Sequence, residues 1–326
     1  MFKLKNITIN SPVIIAPMAG ISNKVFRKIL RQYTSGLICC EMVSDKGIGY
    51  HNQKTLEMTR IDAAEGLISL QVFGGNVADI VEAAKYLDEH SNCAIIDINM
   101  GCPVKKVLKT GGGAMLLKDP AKIEAIVTGV VKAVSKPVSV KIRLGYDQEH
   151  INYLEVGKII EKAGAAMITL HARTKTQLYG GQADWEAIRK LKAALSIPVV
   201  GNGDIKTLAE AIEMKKLTNC DAVMIGRGVM GNPWLAKEIE TYFNEGLVLS
   251  KPSAEQRISQ ALEHLELAVK EYGEKMGTLQ MRGHGSWYLK GLEGNAFVRQ
   301  QLNKATTEEE MREIFGAYLD KIKTTG

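Results

Sequence analysis

The chain has 326 residues, of which 45% are hydrophobic and 24% charged, and its formal net charge is +6 at pH 7. This composition is that of an ordinary globular protein and argues against a disordered or fibrous chain. No apolar run approaches the ~18 residues that a membrane-spanning helix needs. Because the first residues show no signal-peptide pattern, we expect a cytoplasmic protein without a membrane partner.

Eight short apolar runs recur along the chain, and each ends in polar or glycine-rich residues. They are VIIAPMAG (from Val13), LICCEMV (Leu37), LISLQVFG (Leu67), AIIDINMG (Ala94), VSVKIRLG (Val138), AMITLHA (Ala166), IPVVGNG (Ile197) and DAVMIGRG (Asp221). Such runs are typical of strands buried on both faces of a parallel sheet. Helical patterns such as NVADIVEAAKYLDEH lie between them. Eight strand–helix units in about 230 residues predict an α/β fold, a (β/α)8 TIM barrel. A doubly wound sheet is disfavoured because no G-x-G-x-x-G opens a helix after a strand.

The pattern changes after the segment GNPWL. VLSKPSAEQRIS reads as a linker that ends in a helix N-cap at Ser253, and the rest of the chain is strongly helical. We therefore expect a catalytic barrel domain over residues 1–244 and a small all-helical domain over residues 245–326.

Five cysteines are present, and one of them stands apart. Cys39, Cys40, Cys93 and Cys220 lie in or beside apolar runs and are expected to be inert buried thiols. Cys102 follows the fourth strand in GCPVKKVLKTGGG, and we expect the glycine-rich loop behind it to be exposed and mobile. The residue types allow a nucleophile, a metal ligand, a proton donor or a buried thiol. No companion ligands stand at a metal-binding spacing, so no metal is expected.

Polar residues stand at the carboxyl ends of the predicted strands. They are Pro17, Glu41, Gln71, Asn99, Lys141, His171, Asn202 and Arg227. In a barrel these ends meet at one face, where active sites are built. The turns VGNGD and IGRG follow the last two strands and indicate a phosphorylated ligand, with Arg227 as a partner for the phosphate. Lys141 lies inside an apolar strand and could form a Schiff base or stabilise a reduced flavin, with His171 beside it.

Basic residues are concentrated around Cys102. Residues 102–143 contain nine Lys or Arg against two acidic residues, whereas residues 241–326 contain eleven against twelve. A basic patch of this kind suits a polyanion such as nucleic acid, but a solvated helix face would look the same.

Several motifs together resemble the tRNA-dihydrouridine synthase family, most closely its bacterial B-type branch. They are APMAGISNKVFR, DINMGCPVKKV, VKIRLG, LHARTKTQLYGGQADW, VGNGDI, MIGRGVMGNPW and, near the end, RGHGSWYLKGL. The resemblance implies FMN in the barrel and NADPH-driven reduction of uridine to 5,6-dihydrouridine in tRNA. It implies that flavin N5 delivers hydride to C6 of the uracil and that Cys102 protonates C5.

The resemblance also implies roles for other positions. The flavin would lie against Pro17, Met18 and Ala19, and its ring would be held by Gln71, Lys141 and His171. The ribityl phosphate would be held by Asn202, Gly203, Asp204, Gly226 and Arg227. Asn99 and Arg173 would seat the target nucleotide, and Arg282, His284 and Lys290 would offer contacts to tRNA phosphates.

Three rival functions are open at this level. A different FMN barrel could reduce a small enone or pyrimidine, but it would give the helical tail no role. A non-redox RNA-binding protein could keep a degenerate barrel. A Schiff-base aldolase could use Lys141. The sequence does not specify the uridine position, the choice between NADPH and NADH, or the oligomeric state.

Overall fold

The computed structural model describes residues 1–325. A hairpin of β1 (Phe2–Leu4) and β2 (Ile7–Ile9) precedes a closed barrel of eight parallel strands, each paired with the next along the chain. The barrel strands are β3 (Val13–Ile15), β4 (Leu37–Ser44), β5 (Ile68–Phe73), β6 (Ile95–Met100), β7 (Val138–Arg143), β8 (Met167–His171), β9 (Val199–Asn202) and β10 (Ala222–Ile225). All eight apolar runs form barrel strands, so the predicted fold is confirmed.

The hairpin closes the amino end of the barrel. Its buried Leu4 and Ile9 share one apolar cluster with Leu37, Ile95 and Met167, which begin three of the barrel strands. The sequence pattern did not predict this hairpin plug. The carboxyl ends of the strands form the other end, which we call the barrel mouth.

Helices are numbered along the chain, and those of the barrel unit lie between its strands. They are α2 (Asp45–Gly49), α3 (Gln53–Met58), α4 (Val77–His90), α5 (Lys105–Leu108), α6 (Pro120–Ala133), α7 (Tyr153–Lys162), α8 (Trp185–Ala194) and α9 (Leu208–Thr218). Side-chain caps fix several starts: Asn76 accepts from the N–H of Asp79, and Asp119 accepts from that of Lys122. Each cap satisfies a backbone donor that the helix itself leaves unpaired.

A second compact unit consists of residues Lys24–Tyr33 and the chain from Arg227 onward. Its helices are α1 (Lys24–Arg31), α10 (Trp234–Glu245), α11 (Ala254–Tyr272), α12 (Glu274–Tyr288), α13 (Asn295–Lys304) and α14 (Glu308–Thr325). The predicted N-cap is confirmed, because Ser253 accepts from the N–H of Gln256 in a capping box. No helix in the described part of the chain is long and apolar enough to cross a membrane.

The division between the units differs from the expected boundary at residues 244 and 245. It falls between Gly226 and Arg227, and it assigns α1 to the helical unit. Ring packing explains the difference: Trp234 of α10 lies 5.4 Å from the Tyr33 ring and 6.4 Å from the Tyr288 ring. The Tyr33 hydroxyl also donates to Gln260 of α11. These contacts tie α10 and the α1 segment to the helical core.

Candidate active site

Strand register gathers the polar residues of the barrel interior. Alternate residues of a strand share a face, so residues two apart in β6 and in β7 point to the same side. Register pairs Gln71 with Asp97, Asp97 with Ser139, Asn99 with Lys141, Arg143 with His171, and His171 with Asn202. Register thus places Asn99 beside Lys141 and His171 beside Asn202. Gln71 is offset from Asn99, and Lys141 from His171, by two residues, which keeps each pair on the same face.

A hydrogen-bond network connects three of these strands to the backbone of Cys102. The buried Asp97 carboxylate accepts from Ser139 Oγ and from Gln71 Nε2, both at 2.5 Å. Gln71 Oε1 accepts from Asn99 Nδ2 at 2.6 Å. Asn99 Oδ1 in turn accepts the backbone N–H of Cys102 at 2.9 Å. Burial raises the pKa of Asp97, whereas the hydrogen bonds from Gln71 and Ser139 act in the opposite direction.

Two of the predicted site residues, Gln71 and Asn99, belong to this network. Asn99 and Gln71 are both buried, and their amides are engaged with protein partners. In this structure they position the Cys102 backbone. Direct contact of Asn99 with a nucleotide, and of Gln71 with a flavin ring, stays a prediction.

Cys102 is held from both sides at the end of β6. Its carbonyl accepts the N–H of Ala114 at 3.1 Å, and the preceding carbonyl of Gly101 accepts Arg143 Nε at 2.9 Å. The side chain is half-buried. Burial raises the pKa of the thiol, and the N–H of Val104 with the charges of Arg143 and Lys141 only partly oppose this. The thiol is therefore protonated at neutral pH, which suits a proton donor better than a thiolate nucleophile.

The loop behind Cys102 is only partly exposed, whereas an exposed loop was expected. Gly112 and Gly113 are buried. A Cβ on Gly112 would stand 2.3 Å from the Gly74 carbonyl oxygen, so only glycine lets the two backbones approach so closely. The exposed residues between Cys102 and Gly113 are Val104, Lys105, Lys106, Lys109 and Thr110. The glycines therefore pack the loop onto the barrel.

Lys141 and Asn202 meet inside the barrel. Lys141 Nζ donates to Asn202 Oδ1 at 2.9 Å, and Asn202 Nδ2 donates to the Met224 carbonyl at 2.9 Å. Burial and, to a smaller extent, the charge of Arg143 lower the pKa of Lys141 to about 8, while the charge of Asp97 opposes the shift. Lys141 is therefore still mainly charged at pH 7.

Arg173 and Asp204 form an ion pair beside Gly203. The Arg173 guanidinium is 1% exposed, and its Nη2 lies 2.8 and 2.7 Å from the two carboxylate oxygens of Asp204. Nε and Nη2 also donate to the carbonyls of Gly180 and Gly181. Nη1 is buried and has no hydrogen-bond partner among the described residues. It lies 3.7 Å from where a Cβ on Gly203 would stand.

The surroundings of Gly203 are narrow. Its φ is +132°, and a Cβ there would stand 2.6 Å from Ala183 Cβ, so no other residue fits. Buried His171 lies next to it, with Cδ2 3.5 Å from the same point. The orphaned donor of Arg173 thus lies close to the backbone of Gly203. An anionic oxygen beside Gly203 would satisfy it.

The remaining predicted cofactor residues lie at the strand ends. Pro17 and Met18 are half-buried and Ala19 is exposed in the turn after β3. Met18 Sδ lies 3.8 Å from where a Cβ on Gly226 would stand. Exposed Arg227 belongs to the second unit, where it opens a short 3-10 turn.

The predicted RNA contacts of the helical unit meet different surroundings. Lys290 is exposed. Arg282 is half-buried, and its Nε donates to the Ala305 carbonyl at 2.9 Å. His284 is 3% exposed and packs 4.6 Å from the ring of His264, so the expected phosphate contact was wrong for this residue.

The structure also bears on the other cysteines and on metals. Cys39, Cys40, Cys93 and Cys220 are buried and form no disulfide among the described residues, as predicted. Within residues 1–325 no group of three or more His, Cys, Asp or Glu side chains could hold a metal ion.

Comparison with known proteins identifies the family. The family model described as "Dihydrouridine synthase (Dus)" matches residues 14–323. The chain belongs to the dihydrouridine synthase family. A probable tRNA-dihydrouridine synthase of Rickettsia bellii is 38% identical over 93% of this chain and 93% of its own length. The tRNA-dihydrouridine synthase B of Pasteurella multocida is 36% identical over 95% of this chain and 91% of its own, in line with the expected B-type branch.

Solved structures agree on the fold. An old yellow enzyme homologue from Zymomonas mobilis superposes with a TM-score of 0.54 at 13% identity, covering 78% of this chain and 94% of its own. Histamine dehydrogenase from Rhizobium sp. 4-9 gives the same TM-score and identity over 82% of this chain, which spans 50% of that structure. At this identity the likeness concerns the fold alone.

Three residues of this dihydrouridine synthase site were not predicted from the sequence. Asp97 and Ser139 build the network under Cys102, and Arg143 anchors Gly101. Arg143 also donates to the carbonyls of two residues in the loop after β8. The available signal was strand alternation, since Asp97 stands two residues before Asn99 and Arg143 two residues after Lys141.

Proposed function

We propose that this protein is a tRNA-dihydrouridine synthase that reduces uridine in tRNA to 5,6-dihydrouridine, with FMN as cofactor and NADPH as electron donor. The observation that carries the proposal is the Cys102 thiol, which burial keeps protonated and Asn99 fixes at the barrel mouth. Membership of the family supports it, as do relatives named tRNA-dihydrouridine synthase.

The residues present fit FMN. The sequence resemblance gave Arg173 to the target nucleotide, but we assign it to the FMN phosphate. Its orphaned Nη1 beside Gly203 suits the phosphate, because a buried donor without a partner costs roughly 1–3 kcal/mol. The Lys141 ammonium suits the electron-rich N1–C2=O side of the reduced ring. Pro17 and Met18 offer an apolar wall. In this proposal Asp204 acts through Arg173, because its carboxylate already accepts from that guanidinium and from the N–H of Ala183.

When bound, FMN supplies the hydride that reduces C6 of the uracil. Cys102 donates its proton to C5, and the resulting thiolate takes a proton from water. The network of Asp97, Gln71 and Asn99 keeps the Cys102 backbone in place throughout. A Schiff-base role for Lys141 gains no support, because the amine stays mainly protonated at pH 7 and donates to Asn202. The target uridine has to leave its stack to reach the mouth, which unstacked tRNA loops make less costly.

A single anaerobic experiment tests the proposal. The purified protein is expected to show flavin absorbance that NADPH bleaches and unmodified tRNA restores. The tRNA should then contain a uridine that is two mass units heavier, and fragment mass analysis would locate its position. A yellow protein that ignores tRNA but reduces a free enone would indicate a small-molecule reductase. A colourless protein that does not bind added FMN would refute the cofactor assignment.

A further inference from the structure

We propose that Lys118 and Lys175, held on the ring of Tyr146, form a clamp for a backbone phosphate of the RNA substrate at the barrel mouth. The proposal rests on the function proposed above, which supplies the occupant. Lys118 Nζ lies 3.8 Å from the centroid of the Tyr146 ring, and Lys175 Nζ lies 4.6 Å from it. We call these three residues the Tyr146 clamp.

Three consecutive loops of the mouth bring the clamp together. Lys118 ends the 3-10 helix Gly113–Lys118 after β6, Tyr146 follows β7, and Lys175 follows β8. Backbone hydrogen bonds set this arrangement. The N–H of Lys175 donates to the Gly145 carbonyl at 3.0 Å, and that of Thr176 donates to the Tyr146 carbonyl at 3.1 Å.

Hydrogen bonds of Asn152 fix the loop that carries Lys118 beside the loop that carries Tyr146. Asn152 Nδ2 donates to the carbonyl of Leu117 at 2.8 Å, and the Asn152 N–H donates to the Leu144 carbonyl at 3.0 Å. Both ammonium groups therefore lie against one ring because their loops are fixed, and each cation–π contact adds only about 0.5–1 kcal/mol at an exposed site.

The clamp has charge without a counter-charge. Across residues 1–325 no acidic side chain pairs with Lys118 or Lys175 within 4.0 Å. The neighbouring acids are otherwise engaged: Asp119 caps α6, and Asp147 accepts from the ring of His150 at 2.6 Å. Two ammonium groups near one ring repel each other, so an anion beside them is favourable. A phosphodiester supplies that anion and several acceptor oxygens.

One member of the Tyr146 clamp, Lys118, lies in the same loop as the proposed proton donor. The helix that ends at Lys118 begins beside Cys102, since the N–H of Ala114 donates to the Cys102 carbonyl at 3.1 Å. Four residues of 3-10 helix rise roughly 8 Å. A nucleotide whose base lies at Cys102 therefore has its own backbone close to the clamp. Phosphate contacts fix the register of a nucleic acid without reading its sequence.

The test compares FMN-loaded wild type with Lys118→Gln, Lys175→Gln, the double variant and Tyr146→Leu. Binding of unmodified tRNA is measured between 50 and 200 mM salt, with thermal melting as a check on folding. The matched control is Lys132→Gln, which removes the same charge from the last turn of α6, away from the mouth. Each lost phosphate contact lowers the slope of log Kd against log salt by about 0.7–0.9.

Because both lysines contact the same phosphate, the double variant should lose roughly threefold less affinity across this salt range than wild type. Tyr146→Leu should give a smaller effect of the same sign, because the ammonium groups lose their common support. Lys132→Gln should behave as wild type. A double variant with the wild-type salt slope, in a protein that does reduce tRNA, would overturn the clamp and leave the proposed function standing. If wild type neither binds nor reduces tRNA, both proposals fail.

Discussion

The side-chain oxygen of Asn99 accepts the backbone N–H of Cys102 at 2.9 Å, and it accepts that of Gly101 at 3.2 Å. A single amide thus fixes the direction in which the chain leaves β6. The Asn99 side-chain nitrogen donates to Gln71 Oε1, and the Gln71 side-chain nitrogen donates to the Asp97 carboxylate. The proposed proton donor is therefore positioned by a buried network that never touches its sulfur.

Replacing Asn99 by Ala should separate positioning from cofactor binding. The change frees two backbone N–H groups and leaves Gln71 Oε1 without its partner, so we expect a loss of roughly 1–3 kcal/mol in the free energy of unfolding. We also expect kcat for tRNA to fall while bound FMN is retained. Asn92→Ala is the control, since exposed Asn92 makes one hydrogen bond, to the Ile61 carbonyl at 3.4 Å. Urea unfolding and single-turnover rates measure both effects, and an unchanged rate would refute the anchoring role.

Cys102→Ala should abolish proton donation and leave the earlier steps of the reaction unchanged. The variant should bind FMN and accept electrons from NADPH, and it should form dihydrouridine about 10²–10⁴-fold more slowly, the usual contribution of a general acid. Cys93→Ala is the matched control, because it removes a buried thiol of the same barrel. Stopped-flow spectra separate flavin reduction from flavin reoxidation by tRNA. Equal reoxidation rates in Cys102→Ala and wild type would show that the proton comes from another group.

Much of the fold followed from the sequence, for a physical reason. Strands buried on both faces must be apolar throughout, so all eight appeared as short runs, and the cap at Ser253 is a local interaction over three residues. The hairpin plug and the assignment of α1 were missed because both depend on contacts between distant segments. Phe26 of α1, for example, packs 5.4 Å from the ring of His284.

The candidate site was predictable in its positions and less so in its roles. The strand ends marked Gln71, Asn99 and Lys141, since the carboxyl ends of barrel strands converge. The sequence does not encode which amide meets which carboxylate. Gln71 and Asp97 are 26 residues apart and bond because register places them side by side. The burial of His284 was missed for a similar reason, since it is set by packing against α1 and α11.

Asp204→Asn should destabilise the barrel by about 1–3 kcal/mol, because it leaves the buried Arg173 guanidinium without a counter-charge. The backbone supports this choice of variant: Asp204 has φ 62°, which Asn tolerates better than Ala. Combining it with Arg173→Met should recover part of the loss. Thermal melting of the two single variants and the double variant completes the cycle. Additive losses would mean that the ion pair contributes nothing beyond its separate side chains.

FMN affinity should depend on the charge of Lys141. The pKa of this amine is lowered to about 8, so the ammonium loses its proton as the pH rises through that value. FMN should then bind more weakly, by at most about tenfold per pH unit. Flavin fluorescence quenching between pH 7 and 9.5 measures this. Lys141→Met should bind weakly at pH 7 and show no further change. An equal pH slope in the variant would assign the effect to another group.

Acid should destabilise the protein through two buried histidines of the helical unit. Burial lowers the pKa of His284 to about 4 and that of His264 well below its usual value, and the two rings lie 4.6 Å apart. A lowered folded-state pKa means that the unfolded chain binds more protons between about pH 6.5 and pH 4. The two histidines therefore cost no stability above about pH 6.5, where both states are neutral. The free energy of unfolding falls as the pH drops from about 6.5 to about 4. For His284 alone the loss is on the order of 3 kcal/mol.

Urea unfolding at pH 7 and pH 5 should show this loss, and the exposed-site control His90→Gln should leave it unchanged. His284→Met should reduce the pH dependence even where it lowers overall stability, and a variant that keeps the full dependence would contradict the assignment.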